Sequence, residues 1–231
     1  MQLTIIIPAI NEADELAELL PRLRKYTQGR TAEIYVADGG STDNSAEVCA
    51  RNQVHFVACP RPGRSLQMNY VAAEHPADVY YFLHADTRPP ASFYEDIRKA
   101  VQTGHDLGCY RFRFDMLHPL LAINAYCTRL PYLPCRGGDQ SLFVTHDAFT
   151  RLNGYREDYI IMEDYDIIER AEELAMSFRI LPKNILVSAR KYRANGYFKV
   201  QLANLKVFRM YRRGEDQRAM LDLYKARLNP W

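Results

Sequence analysis

Short apolar runs separated by helix-length segments constrain the fold of this chain more than any other feature. Strand-like runs cover residues 3–7, 33–37, 54–58 and 79–83. Four strand–helix alternations in so short a stretch predict right-handed crossovers and a mainly parallel sheet. We therefore predict an α/β fold: a single domain with a central sheet flanked by helices, followed by a helical C-terminal extension.

The helix after the first strand shows the apolar spacing most clearly. Its buried face is predicted to consist of four leucines: Leu16, Leu19, Leu20 and Leu23. Spacing of i, i+3, i+4 and i+7 places them on one stripe that can pack against a sheet. Asn11 is a favoured N-cap residue, and Asp14 suits the positive end of the helix dipole. We therefore expect the helix to begin directly after Asn11.

Polar segments follow three of the predicted strands at the point where each one ends. They are Pro8–Glu12, Asp38–Asp43 and His84–Thr87. Because ligands bind beyond the carboxyl ends of parallel strands, these segments should converge on one acidic edge. Phosphates can approach such an edge when a cation lies between, so a metal-bridged nucleotide is expected. Neither a G-x-G-x-x-G fingerprint nor a P-loop is present, which argues against NAD-dependent and ATP-hydrolysing classes.

The tetrad His84-Ala85-Asp86-Thr87 lies where the apolar run Val79–Leu83 ends. Pro89 and Pro90 then stop the strand, because proline has no amide hydrogen to donate to a sheet. A carboxylate at such an exit can bind a divalent cation, which in turn binds a phosphate oxygen. The competing interpretation is that Asp86 starts a turn or caps the next helix. The tetrad alone does not decide between them.

The second half of the chain is less regular. We predict a helix over about 90–103 and strands over about 108–114, 141–144, 179–181 and 185–188. Glu163 and Asp164 precede an apolar helical face and should lie at a helix N-terminus. There the helix dipole stabilises carboxylates, and this effect alone explains the pair as well as a catalytic role does.

Charge divides the chain near residue 190. Residues 1–189 carry 19 basic and 25 acidic groups, whereas residues 190–231 carry 11 basic and 3 acidic groups, so the local charges are −6 and +8. We assign 1–189 to one domain, with a nucleotide-binding half over about 1–105 and an acceptor-side half over 106–189. The basic extension 190–231 favours contact with phosphates or an anionic membrane surface, and a solvated helical face is equally consistent with it.

Other features narrow the class of protein. No run of about 18 apolar residues predicts a transmembrane helix, and no signal-peptide pattern opens the sequence. Five cysteines without C-x-x-C spacing fit reduced thiols better than disulfides or zinc ligands. We expect a cytoplasmic protein, peripheral at the inner membrane face if the extension binds lipid, with no nucleic-acid partner.

Five pieces of sequence together resemble one enzyme family. In chain order they are Pro8–Glu12, Asp38–Asp43, Gly63-Arg64 with Asn69, Ala85-Asp86 and Glu163-Asp164. This order, across about 160 residues, resembles the inverting family 2 glycosyltransferases, which have the GT-A fold. The tetrad, together with Gly138-Asp139-Gln140, is similar to a small, stand-alone bacterial branch of that family.

The resemblance implies a donor side and a metal. The donor-binding set would be Pro8, Ala9, Glu12, Asp38, Gly39, Arg64, Ala85 and Asp86. Asp38 would hydrogen-bond the base, and Asp86 would bind Mn²⁺ or Mg²⁺ and, through it, the diphosphate. The family's metal motif usually begins with aspartate, and His84 occupies that position here. Its imidazole can ligate a metal or contact a phosphate instead.

The resemblance also implies an acceptor side and an activity. Asp164 would be the catalytic base, Glu163 its neighbour, and Asp139 and Gln140 would shape the acceptor pocket. The implied reaction transfers a sugar, with inversion, from a UDP-linked nucleotide-sugar to an unidentified hydroxyl acceptor. Because His84 departs from the motif, a catalytically weak or inactive protein that binds a nucleotide-sugar or glycan is the alternative.

Overall fold

The structure is a computed structural model that describes residues 1–230. Its strands are β1 (Leu3–Ala9), β2 (Ala32–Asp38), β3 (His55–Ala58), β4 (Val79–Phe82), β5 (Thr87–Arg88), β6 (Leu107–Phe114), β7 (Leu142–Thr145) and β8 (Phe178–Val187). Its helices are α1 (Ala13–Thr27), α2 (Ser45–Arg51), α3 (Arg64–Glu74), α4 (Phe93–Gln102), α5 (Pro119–Cys127), α6 (His146–Arg151), α7 (Glu163–Glu173), α8 (Arg190–Asn195), α9 (Tyr197–Arg212) and α10 (Gln217–Arg227).

These strands form one sheet in the order β3-β2-β1-β4-β7-β6-β8-β5. The β3-β2-β1-β4 half is parallel, as the alternation of strands and helices predicts. Strand β7 runs antiparallel to both β4 and β6, whereas β6 and β8 are parallel. The α/β prediction is confirmed, and the antiparallel pairings lie in the half of the sheet that the sequence pattern left irregular.

Strand β8 unites two segments that were predicted as separate strands. Leu181 pairs with Tyr110 and Asn184 pairs with Arg111, so residues 182–183 have no partner on β6. An extra pair of residues on one strand is accommodated by a β-bulge, which bends the strand without ending it. The prediction of two strands is therefore corrected to one bulged strand.

Helix α1 begins at Ala13, and Asn11 does not cap it. Asn11 has a φ of 55°, and its Oδ1 accepts a hydrogen bond from Thr42 N at 2.8 Å. Asp43 supplies the cap instead, because its Oδ2 accepts from Ala13 N at 2.9 Å. The N-cap prediction was wrong because the cap comes from the loop after β2.

Apolar side chains pack on both faces of the sheet. Helices α1, α2 and α4 cover one face, where the four predicted leucines of α1 are fully buried. Helices α3, α6 and α7 cover the other face. Beyond β8, Val200, Ala203 and Leu228 form a separate small core that joins α9 to the end of α10. The predicted helical extension is confirmed, and no helix within residues 1–230 is long and apolar enough to cross a bilayer.

Candidate active site

Two cavities lie among the loops that follow the strands. The smaller, which we call the loop cavity, measures about 400 Å³ and is lined by the loops after β1 and β2 and by Arg190. The larger, which we call the cleft, measures about 540 Å³ and is lined by residues from β6, α5, α7, α9 and α10. The cleft contains five of the predicted site residues: Arg64, His84, Asp139, Glu163 and Asp164. Glu12 lies in the loop cavity.

Asp38 is buried, and its carboxylate is turned into its own loop. It accepts hydrogen bonds from Gly40 N at 2.9 Å, from Ser41 N at 3.0 Å, and from the Ser41 hydroxyl. Next to it, Gly39 has no room for a side chain, since a Cβ there would lie 2.7 Å from the Ile10 side chain. A nucleobase that binds at Asp38 would have to share these carboxylate oxygens with the backbone and side chain of the loop.

Arg190, the first residue of α8, lies at the centre of the acidic loops. Its Nη1 and Nη2 donate to Glu12 Oε2 and Oε1 at 3.0 and 2.8 Å, a bidentate pair. Nη2 also lies 3.3 Å from Asp86 Oδ2, and Nη1 lies 3.9 Å from Glu15 Oε1. Charge-assisted bidentate pairs are among the stronger hydrogen bonds in proteins. The guanidinium therefore holds together carboxylates from the β1 loop, α1 and the tetrad.

The tetrad forms a turn whose two ionisable side chains have different surroundings: His84 lines the cleft, and Asp86 contacts Arg190, which lines the loop cavity. Thr87 closes the turn, because its amide and its hydroxyl both donate to the His84 carbonyl, at 3.2 and 2.7 Å. Burial and the nearby Asp139 carboxylate raise the pKa of Asp86 to about 6, although Arg190 opposes the shift. Asp86 therefore lies in a turn, as the competing interpretation predicts, and its carboxylate is electrostatically perturbed. That it binds a cation stays a prediction.

His84 lines the cleft as a neutral imidazole. Burial lowers the pKa of His84, and the positive charge of Arg64 lowers it further. A neutral imidazole is the form that ligates metals, whereas a protonated one would favour phosphate binding. The neutral form is compatible with the ligand role, and its remaining N–H can also donate to a phosphate oxygen.

Glu163 and Asp164 begin α7, as predicted, and both line the cleft. Glu163 is 2% exposed, its Oε1 lies 2.7 Å from Arg64 Nε, and its Oε2 has no hydrogen-bond partner within residues 1–230. Burial and the charge of Glu163 raise the pKa of Asp164. A buried oxygen without a partner and a carboxylate of raised pKa are both signs of a functional site.

Asn69 fixes the segment that leads to α7. Its Nδ2 donates to Tyr155 O at 2.8 Å, and its Oδ1 accepts from Tyr155 N at 2.9 Å. Gly154 is required next to this contact, because its φ is +66° and a Cβ would lie 2.7 Å from Asn69 Oδ1. Asn69 therefore positions the α7 carboxylates through the backbone.

Replacing Gly154 with alanine should destabilise the protein and disturb the start of α7. The left-handed backbone alone costs an alanine about 1–2 kcal/mol, and the clash with Asn69 adds about 1–3 kcal/mol more. Gly104→Ala is the matched control, because its φ is +85° and no atom lies within 4 Å of the added Cβ. Urea denaturation should show the larger loss for Gly154→Ala, and equal losses would contradict the steric argument.

Asp139 and Gln140 are placed differently from each other. Asp139 lines the cleft, and its charge contributes to the raised pKa values of Asp86 and Asp164. Gln140 is 1% exposed and donates to Tyr110 O at 3.1 Å, away from the residues that line the cleft. The pocket-shaping role predicted for Gln140 would therefore act through the loop that it anchors.

Family membership follows from the sequence match. The model of Glycosyl transferase family 2 matches residues 4–160, more than half of the chain. The chain belongs to glycosyl transferase family 2. The match spans both the tetrad and the parallel half of the sheet, which carry most of the residues predicted for the donor side.

Curated relatives within family 2 match only part of the chain. The succinoglycan biosynthesis protein ExoA of Rhizobium meliloti is 32% identical over 110 residues, which cover 44% of this chain and 33% of ExoA. A dolichol-phosphate mannosyltransferase of Pyrococcus furiosus is 28% identical over 112 residues, which cover 46% of this chain and 32% of that protein. The chain spans about a third of the length of these relatives.

Solved structures share the fold at low sequence identity. Mannosyltransferase PcManGT from Pyrobaculum calidifontis, in complex with GDP-Man and Mn²⁺, has a TM-score of 0.68 at 16% identity, over 89% of this chain and 62% of that one. Glucosyl-3-phosphoglycerate synthase from Mycobacterium tuberculosis, in complex with Mn²⁺, UDP and glucosyl-3-phosphoglycerate, has a TM-score of 0.60 at 18% identity, over 93% and 80%. The predicted GT-A fold is confirmed.

The tetrad suits a cation that arrives with a nucleotide. It offers one carboxylate, Asp86, and one neutral imidazole, His84. Among the residues that the structure describes, no group of three or more His, Cys, Asp or Glu side chains is arranged to hold a metal ion. Cations bound to nucleotides commonly use one or two carboxylates and complete their shell with phosphate oxygens and water. The ligating side chains of the tetrad therefore fit a cation that is shared with a nucleotide. They do not fit a metal site made of protein ligands alone.

Gln67 is a site-supporting residue that the sequence reasoning missed. It is 1% exposed, and its Nε2 donates to Ala9 O at 3.1 Å and to Ala37 O at 2.6 Å. Its Oε1 accepts from Gly63 N at 3.2 Å. One amide thus ties the ends of β1 and β2 to the start of α3. The available signal was a glutamine on the otherwise apolar face of that helix.

Proposed function

We propose that this chain is a glycosyltransferase that moves a sugar, with inversion, from a UDP-linked donor to a hydroxyl acceptor with the help of a divalent cation. The tetrad carries this proposal, because Asp86 contacts Arg190 at the loop cavity while His84 lines the cleft that holds Asp164. A donor diphosphate at the tetrad would therefore place its sugar towards Asp164. The Mn²⁺ complexes of PcManGT with GDP-Man and of the synthase with UDP support it.

The donor would bind along the strand ends. The proposed contacts are those of the sequence prediction: Pro8, Ala9, Glu12, Asp38, Gly39, Arg64, Ala85 and Asp86. Ala9 and Ala85 are each 4% exposed, so a nucleotide would contact mainly their backbone. Asp86 and His84 would hold the cation, which supplies Lewis-acid stabilisation of the departing diphosphate.

Arg190 would exchange partners when the donor binds. It now neutralises Glu12 and Asp86, and a diphosphate offers it a stronger anionic partner. Release of Asp86 from Arg190 would expose the carboxylate just as the nucleotide arrives. Donor and cation should consequently bind together, each more tightly in the presence of the other.

Asp164 would act as the base. Inversion requires attack on the anomeric carbon from the face opposite the leaving group, and one group must accept the proton of the attacking hydroxyl. The raised pKa of Asp164 strengthens it as a base near neutral pH. Glu163 would hold the donor-side Arg64 in place through their ion pair, and Asp139 would line the acceptor pocket.

A binding protein without turnover is the second candidate, and His84 in place of the usual aspartate is the observation that favours it. A single carboxylate at the tetrad holds a cation less firmly than two would. This candidate predicts donor binding with neither hydrolysis nor transfer.

Calorimetric titration of UDP with Mn²⁺ tests the proposed donor site. We expect a dissociation constant within about 1 μM–1 mM. Arg190→Gln should weaken UDP binding by about tenfold or more, because a charged hydrogen bond is lost. The same variant should bind Mn²⁺ more tightly without nucleotide, since Asp86 loses its internal counter-ion.

Arg193→Gln is the control in the same helix, because Arg193 pairs with Asp115 at 2.8 Å and not with the site carboxylates. This variant should leave the affinity for UDP and the affinity for Mn²⁺ unchanged. Absence of UDP binding at millimolar concentration would contradict the donor site, and equal behaviour of the two variants would contradict the exchange by Arg190.

A further inference from the structure

Helix α9 carries a stripe of exposed apolar side chains. Phe198, Leu202 and Leu205 are 72%, 58% and 45% exposed. Their i, i+4, i+7 spacing places them on one face of the helix, while Val200 and Val207 are buried on another face. Phe198 touches the Tyr197 ring, with the centroids 5.4 Å apart, yet much of the surface of all three side chains stays open to solvent.

Helix α5 presents a second exposed apolar surface beside α9. Its sequence contains no charged residue, and Ile123 and Tyr126 are 58% and 64% exposed. Leu130, one turn further on, is 38% exposed. The two helices are joined by a hydrogen bond from the Tyr197 hydroxyl of α9 to Asn124 Oδ1 of α5, at 3.0 Å.

The two surfaces border the mouth of the cleft. Asn124 and Cys127 of α5 line the cleft, as do Gln201 and Leu205 of α9. Leu205 belongs to both the cleft wall and the exposed stripe. A partner that covers the exposed faces of α5 and α9 therefore lies next to the opening of the cleft.

Positive charge accompanies the apolar stripe. Lys199, Lys206 and Arg209 lie on α9, and none of them takes part in a salt bridge among the residues that the structure describes. The guanidinium of Arg129 stacks on the Tyr126 ring of α5 at 5.1 Å. Apolar side chains flanked by unpaired basic ones are typical of helices that lie in the headgroup layer of a membrane.

We propose that a docking face made of Ile123, Tyr126, Leu130, Phe198, Leu202 and Leu205 binds an anionic lipid surface. Charge complementarity selects this occupant. A second copy of the chain would bring like-charged residues of α9 together across a two-fold axis, which is unfavourable. Anionic headgroups instead attract the lysines and arginines, and the apolar stripe enters the acyl boundary.

Not every aromatic residue of the extension belongs to this face. The rings of Phe208 and Tyr211 pack against Tyr165 of α7, with centroids 5.6 and 6.2 Å from it. Phe208 lines the cleft, and the Tyr211 hydroxyl donates to Glu169 of α7, so neither ring belongs to the docking face. The docking face takes Phe198, Leu202 and Leu205 from the basic extension. Its other half, from α5 and Leu130 just after it, was not indicated by the charge pattern.

Vesicle sedimentation of the full chain tests the docking face. We expect binding to phosphatidylcholine vesicles that contain phosphatidylglycerol, weaker binding to phosphatidylcholine alone, and loss of binding at high salt. Phe198→Ser with Leu202→Ser should lower the partition coefficient by about tenfold or more. Lys199→Gln with Arg209→Gln should lower it on anionic vesicles.

Controls come from exposed residues elsewhere on the molecule. Leu174→Ser removes an apolar side chain that is 45% exposed at the end of α7, and Lys25→Gln removes a charge on α1. Both should bind vesicles as the wild type does. No binding of the wild type to anionic vesicles, or undiminished binding of the Phe198/Leu202 variant, would overturn the proposal. A wild-type dimer in light scattering that the same variant converts to monomer would also overturn it.

Discussion

Replacing Asp164 with asparagine is expected to lower kcat by about 10²–10⁴-fold while donor binding stays unchanged. Asparagine keeps the shape of the side chain and removes its ability to accept a proton. The donor contacts lie at the tetrad and in the loop cavity, so they should survive. Kinetics with saturating donor, together with calorimetry of the same variant, separate the two effects. Equal turnover by the wild type and the variant would remove Asp164 from the base role.

The pH profile gives a second readout of the same residue. Because the pKa of Asp164 is raised by burial and by Glu163, activity should fall with acid at a higher pH than an ordinary aspartate, with its pKa of about 3.9, would produce. Glu163→Gln removes the neighbouring charge and should move this acid limb to lower pH. If the acidic limb of the pH–activity profile lies at the same pH in Glu163→Gln as in the wild type, a group other than Asp164 controls it.

Replacing Asp86 with asparagine is expected to weaken Mn²⁺-dependent donor binding by about 10–100-fold. The carboxylate is the one acidic ligand that the tetrad offers to a cation, and an amide oxygen is a weaker ligand. Folding should not suffer, because the raised pKa of Asp86 shows that its charge is disfavoured where it lies. Donor titration with and without Mn²⁺ measures the loss, and thermal denaturation measures the stability.

Glu18→Gln provides a matched control for Asp86→Asn. Glu18 also lies among the acidic residues near the β1 loop, but it contacts Arg88 at 3.3 Å and is 70% exposed. Its replacement should leave donor binding intact. If Asp86→Asn binds the donor with Mn²⁺ as tightly as the wild type, the cation is held elsewhere.

Local pattern was sufficient to predict the parts of the fold that depend on nearby residues. The leucine stripe of α1 and the strand-end positions of Asp38 and Asp86 follow from spacing and from the geometry of parallel sheets. The site residues at these strand ends could be located for the same reason. Glu163 and Asp164 were placed at a helix start by the apolar face that follows them.

Features that depend on distant partners could not be predicted. Asp43 caps α1 from the loop after β2, which is why Asn11 seemed the better cap from sequence alone. From the sequence, Gln67 is an ordinary helix residue. Only the structure places its amide between the ends of β1 and β2. Arg190 lies in the basic extension, and its pairing with Glu12 requires α8 to fold back across 178 positions of sequence.

Anion-exchange chromatography of EDTA-quenched reactions of the wild-type protein with Mn²⁺ and a panel of UDP- and GDP-sugars tests the proposed function most directly. We expect the peak of at least one UDP-sugar to shrink and free UDP to accumulate, slowly with water and faster with a suitable hydroxyl acceptor. Asp164→Asn should bind that donor without consuming it. Binding of a UDP-sugar by the wild type with no release of UDP would contradict the transferase account and favour a binding protein.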